Sequence, residues 1–304
     1  IYNNSSSPTM ANCTFSRNAA SLGGGGMYNV NSSPTLTNCM FGGNSAKQWG
    51  GGMYSGGVSS PTLSNCTFSD NQGYRGGGMY STGGQLTLTT CTFNRNTAYH
   101  GGGIENITSS LMLKNCIFSG NSAVECGGGL HDYESSMTIT NCAFTGNSAS
   151  GMLGCGGAIG FADSSLSISN STFSGNRATE RGGGIYSAGP PVPCAAIIGS
   201  SPGPAAAALT LTINNCILWG NTGSAGKDES AQVHTYIPPV VNYSCIQGWT
   251  GTFGGIGNID ADPCFAEPGY WDENSTPEDA NDDFWINGDY HLKSQAGRWN
   301  PNEG

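Results

Sequence analysis

The chain has 304 residues and a formal net charge of −10, from 10 Lys and Arg against 20 Asp and Glu. It has no Lys/Arg cluster to neutralise phosphates, which excludes a nucleic-acid footprint, and no run approaches the ~18 apolar residues of a membrane span. Its 49 glycines recur at fixed places in a long period, not in collagen triplets, so a repeat architecture is expected.

The repeat is legible from the first coil. NCTFSRN at 12–18 returns as NCMFGGN (38–44), NCTFSDN (65–71), TCTFNRN (90–96), NCIFSGN (115–121), NCAFTGN (141–147), NSTFSGN (170–176) and NCILWGN (215–221). Between these lies a glycine signature: GGGMY at 24–28, 50–54 and 76–80, then GGGIE (101–105), GGGLH (127–131), GGAIG (156–160) and GGGIY (182–186). Short runs such as LTLT at 86–89 alternate apolar and polar residues, a period of two that means strand. No segment carries a 3.6-residue pattern ten residues long, which excludes helical repeats. About 26 residues accommodate three short strands and three turns. The expected fold is all-β, a parallel β-helix of about 8–10 coils over residues 1–245, each coil ~4.8 Å above the last.

Stacking turns each repeat position into a column. Phe15, Phe41, Phe68, Phe93, Phe118, Phe144 and Phe173, closed by Leu218, should form an internal aromatic column. Cys13, Cys39, Cys66, Cys91, Cys116 and Cys142 should form an inward column of free, buried thiols. Met27, Met53, Met79, Ile104, Leu130, Ile159 and Ile185 give a third. Two asparagine ladders flank them, one running from Asn18 to Asn221 and the other from Asn12 to Asn215. Asn tolerates the left-handed backbone of a tight turn, and its amide can bond the amide one coil away.

The pattern breaks at 188–208, a Pro-, Gly- and Ala-rich insertion read as a surface loop, either a decoration or a partner contact. It carries Cys194, for which Cys264 is a candidate disulfide mate. Cys126 and Cys155 precede the glycines of adjacent coils, close enough for a bridge at a Cα separation of ~4.4–6.8 Å. Residues 246–304 are expected to form a C-terminal coil and acidic cap over the last strand edges. Asp279, Asp282 and Asp283 belong to its acidic run. A solvated cap is the main expectation and Ca²⁺ binding the alternative, since no EF-hand spacing is present. No other cofactor is expected.

The F-x-x-N motif paired with GGA-I or GGG-I resembles the repeats of chlamydial polymorphic outer-membrane proteins. The ending NIDADPCF (258–265) with NGDYHLKSQAGRWNP (287–301) is similar to the helix-closing segment of secreted β-helix proteins of planctomycete-type bacteria. The resemblance implies a right-handed β-helix of the pectate-lyase fold and a surface or adhesin-like role.

Three function classes follow. An enzyme would use the position after the glycines, where Glu105, His131 and Asp132 fall on successive coils and could serve acid–base chemistry. Polysaccharide lyases of this fold need a basic residue with a calcium-binding carboxylate cluster, and hydrolases need converging aspartates. Neither set is legible, so a non-enzyme is expected. A glycan binder would use Tyr28, Tyr54, Tyr80 and Tyr186 as a stacking platform. A structural or adhesive rod needs only the columns, and its coil ends could associate head to tail into a filament. Twelve cysteines and a Ser/Thr/Asn-rich, Lys-poor composition suit an extracellular or cell-surface setting. The chain opens within a repeat at Ile1-Tyr2, as in a mature product or a piece of something longer. Among the sequons, Asn106 and Asn274 are the expected acceptors, several of the others coinciding with turn ladders.

Overall fold

The computed structural model describes residues 1–189, 209–274 and 283–292. Three parallel sheets of nine strands each run its length, consecutive strands in a sheet lying one coil apart. Sheet A begins with Tyr2–Asn4 and ends with Val233–His234, sheet B runs from Thr9–Ala11 to Pro239–Asn242, and sheet C from Thr14–Ser16 to Cys245–Ile246. A fourth run of short strands, such as Thr97–His100 beside Ser122–Cys126, lies between sheet C and the next strand of sheet A. This extra side was not expected from the sequence, because its strands are only two to five residues long.

Single left-handed residues turn the chain at its corners. Between sheets B and C the corner is Asn12, Asn38, Asn65, Thr90, Asn115, Asn141, Asn170, Asn215 and Tyr243, all with φ between 50° and 56°. Asn meets this demand at least cost, since left-handed backbone otherwise costs about 1–2 kcal/mol per residue. The exposed amides also bond along the axis, Asn38 Nδ2 donating to Asn12 Oδ1 at 3.2 Å and Asn141 to Asn115 at 2.7 Å. Glycine is obligatory where coils touch. A Cβ on Gly51 would collide with the carbonyl oxygens of Gln72 and Gly77 in the coil above.

Strict register builds the core. Met27 pairs with Met53, Leu63 with Leu88, and Phe41 with Phe68. From Phe15 to Phe173 the phenylalanine rings stack at 4.6–4.9 Å, within 15° of parallel. Each fully buried ring contributes roughly 1.5–3 kcal/mol from water exclusion. Beside them, Cys39, Cys66, Cys91, Cys116 and Cys142 are buried free thiols, and Cys13 is half-buried and free.

The buried asparagine ladder closes the same corner in every coil. Asn71 Nδ2 donates to Asn96 Oδ1 at 2.9 Å and to the Phe41 carbonyl at 2.9 Å. Its backbone N–H also donates to Asn96 Oδ1, at 3.1 Å. The motif repeats up to Asn221, whose amide ends on Gln232 Oε1 at 2.7 Å. Gln232 comes from a one-turn helix, Glu229–Gln232.

Trp249, Phe253 and Ile237 pack against the last core residues. The following segment turns back along the flank of the rod. Two antiparallel pairs, Phe265–Glu267 with Asp289–Leu292 and Tyr270–Asp272 with Phe284–Ile286, are laid beside sheet C. Asn287 Oδ1 accepts from Ser119 and Thr145 at 2.5 and 3.3 Å, and Trp271 Nε1 donates to the Gly175 carbonyl at 2.8 Å. The insertion at 190–208, with Cys194, lies outside the described residues, as do Asp279 and Asp282. Asp283 is not a solvated acid: it pairs with Arg177 at 2.7 Å.

Candidate functional site

The outward position of sheet A follows the glycines and reads Tyr2, Tyr28, Tyr54, Tyr80, Glu105, His131, Gly160, Tyr186 and His234 along the axis. A second file covers it. Gly23, Trp49, Arg75, His100, Cys126, Cys155 and Arg181, each just before a glycine signature, are joined in register by β-bridges. The chain makes a left-handed turn at the first glycine, and this file's side chains close over sheet A. Sequence reasoning placed Cys126 and Cys155 here but missed Trp49, Arg75, His100 and Arg181, although one residue per coil at this place is legible in the strings QWGGG, YRGGG and YHGGG.

Glu105 sits at the centre of this layer with no solvent exposure. Arg75 Nη2 donates to its Oε1 at 2.6 Å, and Arg75 Nε lies 3.1 and 3.0 Å from its two oxygens. His131 Nδ1 stands 3.1 Å from Oε1. Burial alone would raise the Glu105 pKa, but the bonds from His131 and Arg75 outweigh it and leave it below the ordinary carboxylate range. His100 stacks on His131 with ring centroids 5.3 Å apart. Neither nitrogen of His100 has a hydrogen-bond partner, and burial, with His131 adding to it, pushes its pKa down to about 4.

Asp132 does not join this group. Strand alternation turns it through the sheet, into the solenoid interior, where it is fully buried and accepts from Asn106 Nδ2 at 2.7 Å. Burial pushes its pKa up to about 6. The expected Glu105–His131–Asp132 constellation is therefore split between two faces. Glu105 and His131 meet at hydrogen-bond distance in a layer closed to solvent.

Asn106 shares the interior with Asp132, fully buried and also donating to the Ser109 carbonyl at 2.6 Å, so it cannot accept a glycan. Asn274 is exposed, while the rest of its sequon lies outside the described residues. The tyrosines do not form a sugar platform either. Tyr28 and Tyr54 stack face to face at 4.4 Å, and Tyr54 and Tyr80 at 5.7 Å, so their faces cover one another. Trp49 tilts over Tyr54 and Tyr80, and Tyr80 and Tyr186 are buried.

The Cys126–Cys155 bridge is not formed. The two are register partners, but Cys155 keeps a free buried thiol. Parallel partners carry their Cβ atoms side by side, pointing the same way, which leaves the sulfurs poorly placed to join. Cys126 is disulfide-bonded, and not to Cys155. Cys264 is free and exposed, so it is not a mate for Cys194. No group of three or more His, Cys, Asp or Glu gathers around a metal position among the described residues. No helix among them is long and apolar enough to cross a membrane.

On the flank formed by the short strands, an open groove of about 590 Å³ runs along the axis, with Ala20, Ala46, Gln72, Tyr74, Ala98 and Tyr99 among its lining. Tyr74 and Tyr99 stack at 5.1 Å, and Tyr99 donates to Glu125 at 2.5 Å.

No curated protein and no solved structure matches the chain. A family profile described as the right-handed β-helix region matches residues 1–122 and 50–192. With nine coils in parallel register and a family match over more than half its length, the chain belongs to the right-handed β-helix proteins.

Proposed function

We propose that this protein is a structural and adhesive rod of an extracellular surface, and not an enzyme. The observation that supports this most is the fate of Glu105: this acidic side chain, which faces His131 across the coils, is wholly buried and held by Arg75 and His131. A catalytic carboxylate must reach its substrate. The Ser-, Thr- and Asn-rich outer positions and the repeat resemblance to polymorphic outer-membrane proteins support surface display. Head-to-tail association through coil ends belongs to the same proposal, because parallel strand edges are the element each coil already uses to hold its neighbour. Beads coated with the protein should stay attached to cells or extracellular matrix under flow better than beads carrying an unrelated β-rich protein. Equal detachment of the two bead sets contradicts the adhesive reading, and electron microscopy distinguishes single rods from filaments.

Glycan binding is the second reading, favoured by the groove beside Tyr74 and Tyr99 and not by the Tyr28 stack. A glycan array decides it. Binding that Tyr74→Ala abolishes supports the groove, and an array without signal removes it.

A further inference from the structure

Six thiols line up through the core, one per coil, from Cys13 to Cys142. The residues that follow them pair in strict parallel register, Met40 with Thr67, Thr67 with Thr92 and Thr92 with Ile117, so the thiols of adjacent coils stand side by side. Each sulfur has fixed surroundings. The Cys116 backbone N–H donates to the sulfur of Cys142 at 3.3 Å, and the Cys116 thiol donates to the Lys114 carbonyl at 3.3 Å. The column ends where serine takes the same place, Cys142 N–H donating to Ser171 Oγ at 3.1 Å.

The spacing of this column has chemical meaning. Parallel strands lie ~4.8 Å apart, so successive sulfurs are held near that distance. A metal–thiolate bond is about 2.3 Å, taking zinc as the guide, so two such bonds end to end span nearly the same gap. The sulfurs lie in a line and do not gather around a point, which matches the absence of any three-ligand cluster among the described residues. That arrangement disfavours tetrahedral zinc and hard, hydrated cations. It suits ions that accept two soft ligands in a straight line, and thiolates select copper(I).

We propose that the cysteine column binds soft monovalent cations of the copper(I) or silver(I) class, one in each gap between sulfurs of adjacent coils. Each ion forms two metal–sulfur bonds, one to each flanking sulfur; as the five ions enter, the six S–H bonds break and the six protons leave to solvent, with no electron transferred. Interior sulfurs bridge two ions. Six thiolates holding five cations make a chain with one net negative charge, far less than isolated buried thiolates would carry. Cys216 stands outside it, separated from Cys142 by Ser171 and followed by Ser244. The site does not depend on the adhesive reading.

The test is to refold the reduced full chain without oxygen in the presence of acetonitrile-stabilised copper(I). Ions retained after washing with a weak chelator are counted by native mass spectrometry. The expected count is five, with two sulfur neighbours per metal by X-ray absorption. Cys91→Ser should lower it to three by removing two adjacent gaps. Serine is already accommodated in this column at Ser171, and a melting curve checks that the variant folds. Cys264→Ser should leave the count unchanged. No retained ion, a count indifferent to Cys91→Ser, or uptake abolished by replacing the surface thiols Cys245 and Cys264 overturns the proposal.

Discussion

Arg75 and Glu105 form an ion pair between adjacent coils, Nη2 to Oε1 at 2.6 Å, with the Arg75 guanidinium over the ring of Tyr80. The carboxylate is fully buried and the guanidinium nearly so. Removing one member of such a pair leaves an uncompensated charge, a loss of about 3–5 kcal/mol. Glu105→Ala should therefore lower stability by that order in denaturant unfolding. Glu105→Gln should cost less, because it still accepts from Arg75. A loss below about 1 kcal/mol for Glu105→Ala places Arg75 in solvent and contradicts the sealed layer.

Asn96 links three coils. It accepts from the Asn71 side chain at 2.9 Å and donates to the Phe68 carbonyl and Asn121 Oδ1, each at 2.9 Å. Asn96→Ala leaves buried groups unsatisfied on both sides, each worth about 1–3 kcal/mol, for a total of roughly 3–5 kcal/mol. Hydrogen exchange should quicken first in the coils of Phe68 and Asn121. Protection unchanged there would show the ladder to be dispensable.

His100 and Asp132 oppose each other in acid. The folded His100 pKa, about 4, lies below its unfolded value of 6.5, so its contribution is present above pH 6.5 and lost as pH falls toward 4. The folded Asp132 pKa, about 6, lies above its ordinary 3.8, so its contribution is present below pH 3.8 and lost as pH rises through 6. Asp132→Asn should thus be more stable than the parent at pH 7 and lose that advantage by pH 4. The change is on the order of 2–3 kcal/mol at about 1.4 kcal/mol per pKa unit. A stability difference independent of pH contradicts the buried, protonatable Asp132.

Thiol accessibility separates the cysteines. In the native protein a thiol reagent should react rapidly with Cys264, the one exposed thiol among the described residues, and slowly with the half-buried Cys13 and Cys245. Denaturation should release the buried column. Fast native reaction of Cys91 or Cys116 would show that the coils breathe apart.

Much of the fold was legible because a solenoid writes each contact as a repeat. The Phe15–Phe173 column, the Asn18–Asn221 ladder and the left-handed corner at Asn12 each recur once per coil, so one observation is made many times. The candidate site was less legible. Its residues, Arg75, Glu105, His100 and His131, differ from coil to coil and appear once each. Strand alternation already required Asp132 to oppose His131, and the stacking that aligns the phenylalanines turns the tyrosine faces toward one another. Both follow from the period of two and the rung spacing. The cover of Trp49, Arg75 and His100 depends on how the segment before the glycines folds over sheet A, which no periodicity of its own announces.

The most direct test of the central claim, that the Glu105 layer is structural, is to incubate the protein with a panel of neutral and uronate polysaccharides. Products are followed as new reducing ends and as unsaturated uronates. The account predicts no product from either the parent or Glu105→Gln, together with lower stability of Glu105→Ala. Turnover by the parent that Glu105→Gln abolishes while remaining folded would contradict it and make this layer a catalytic site.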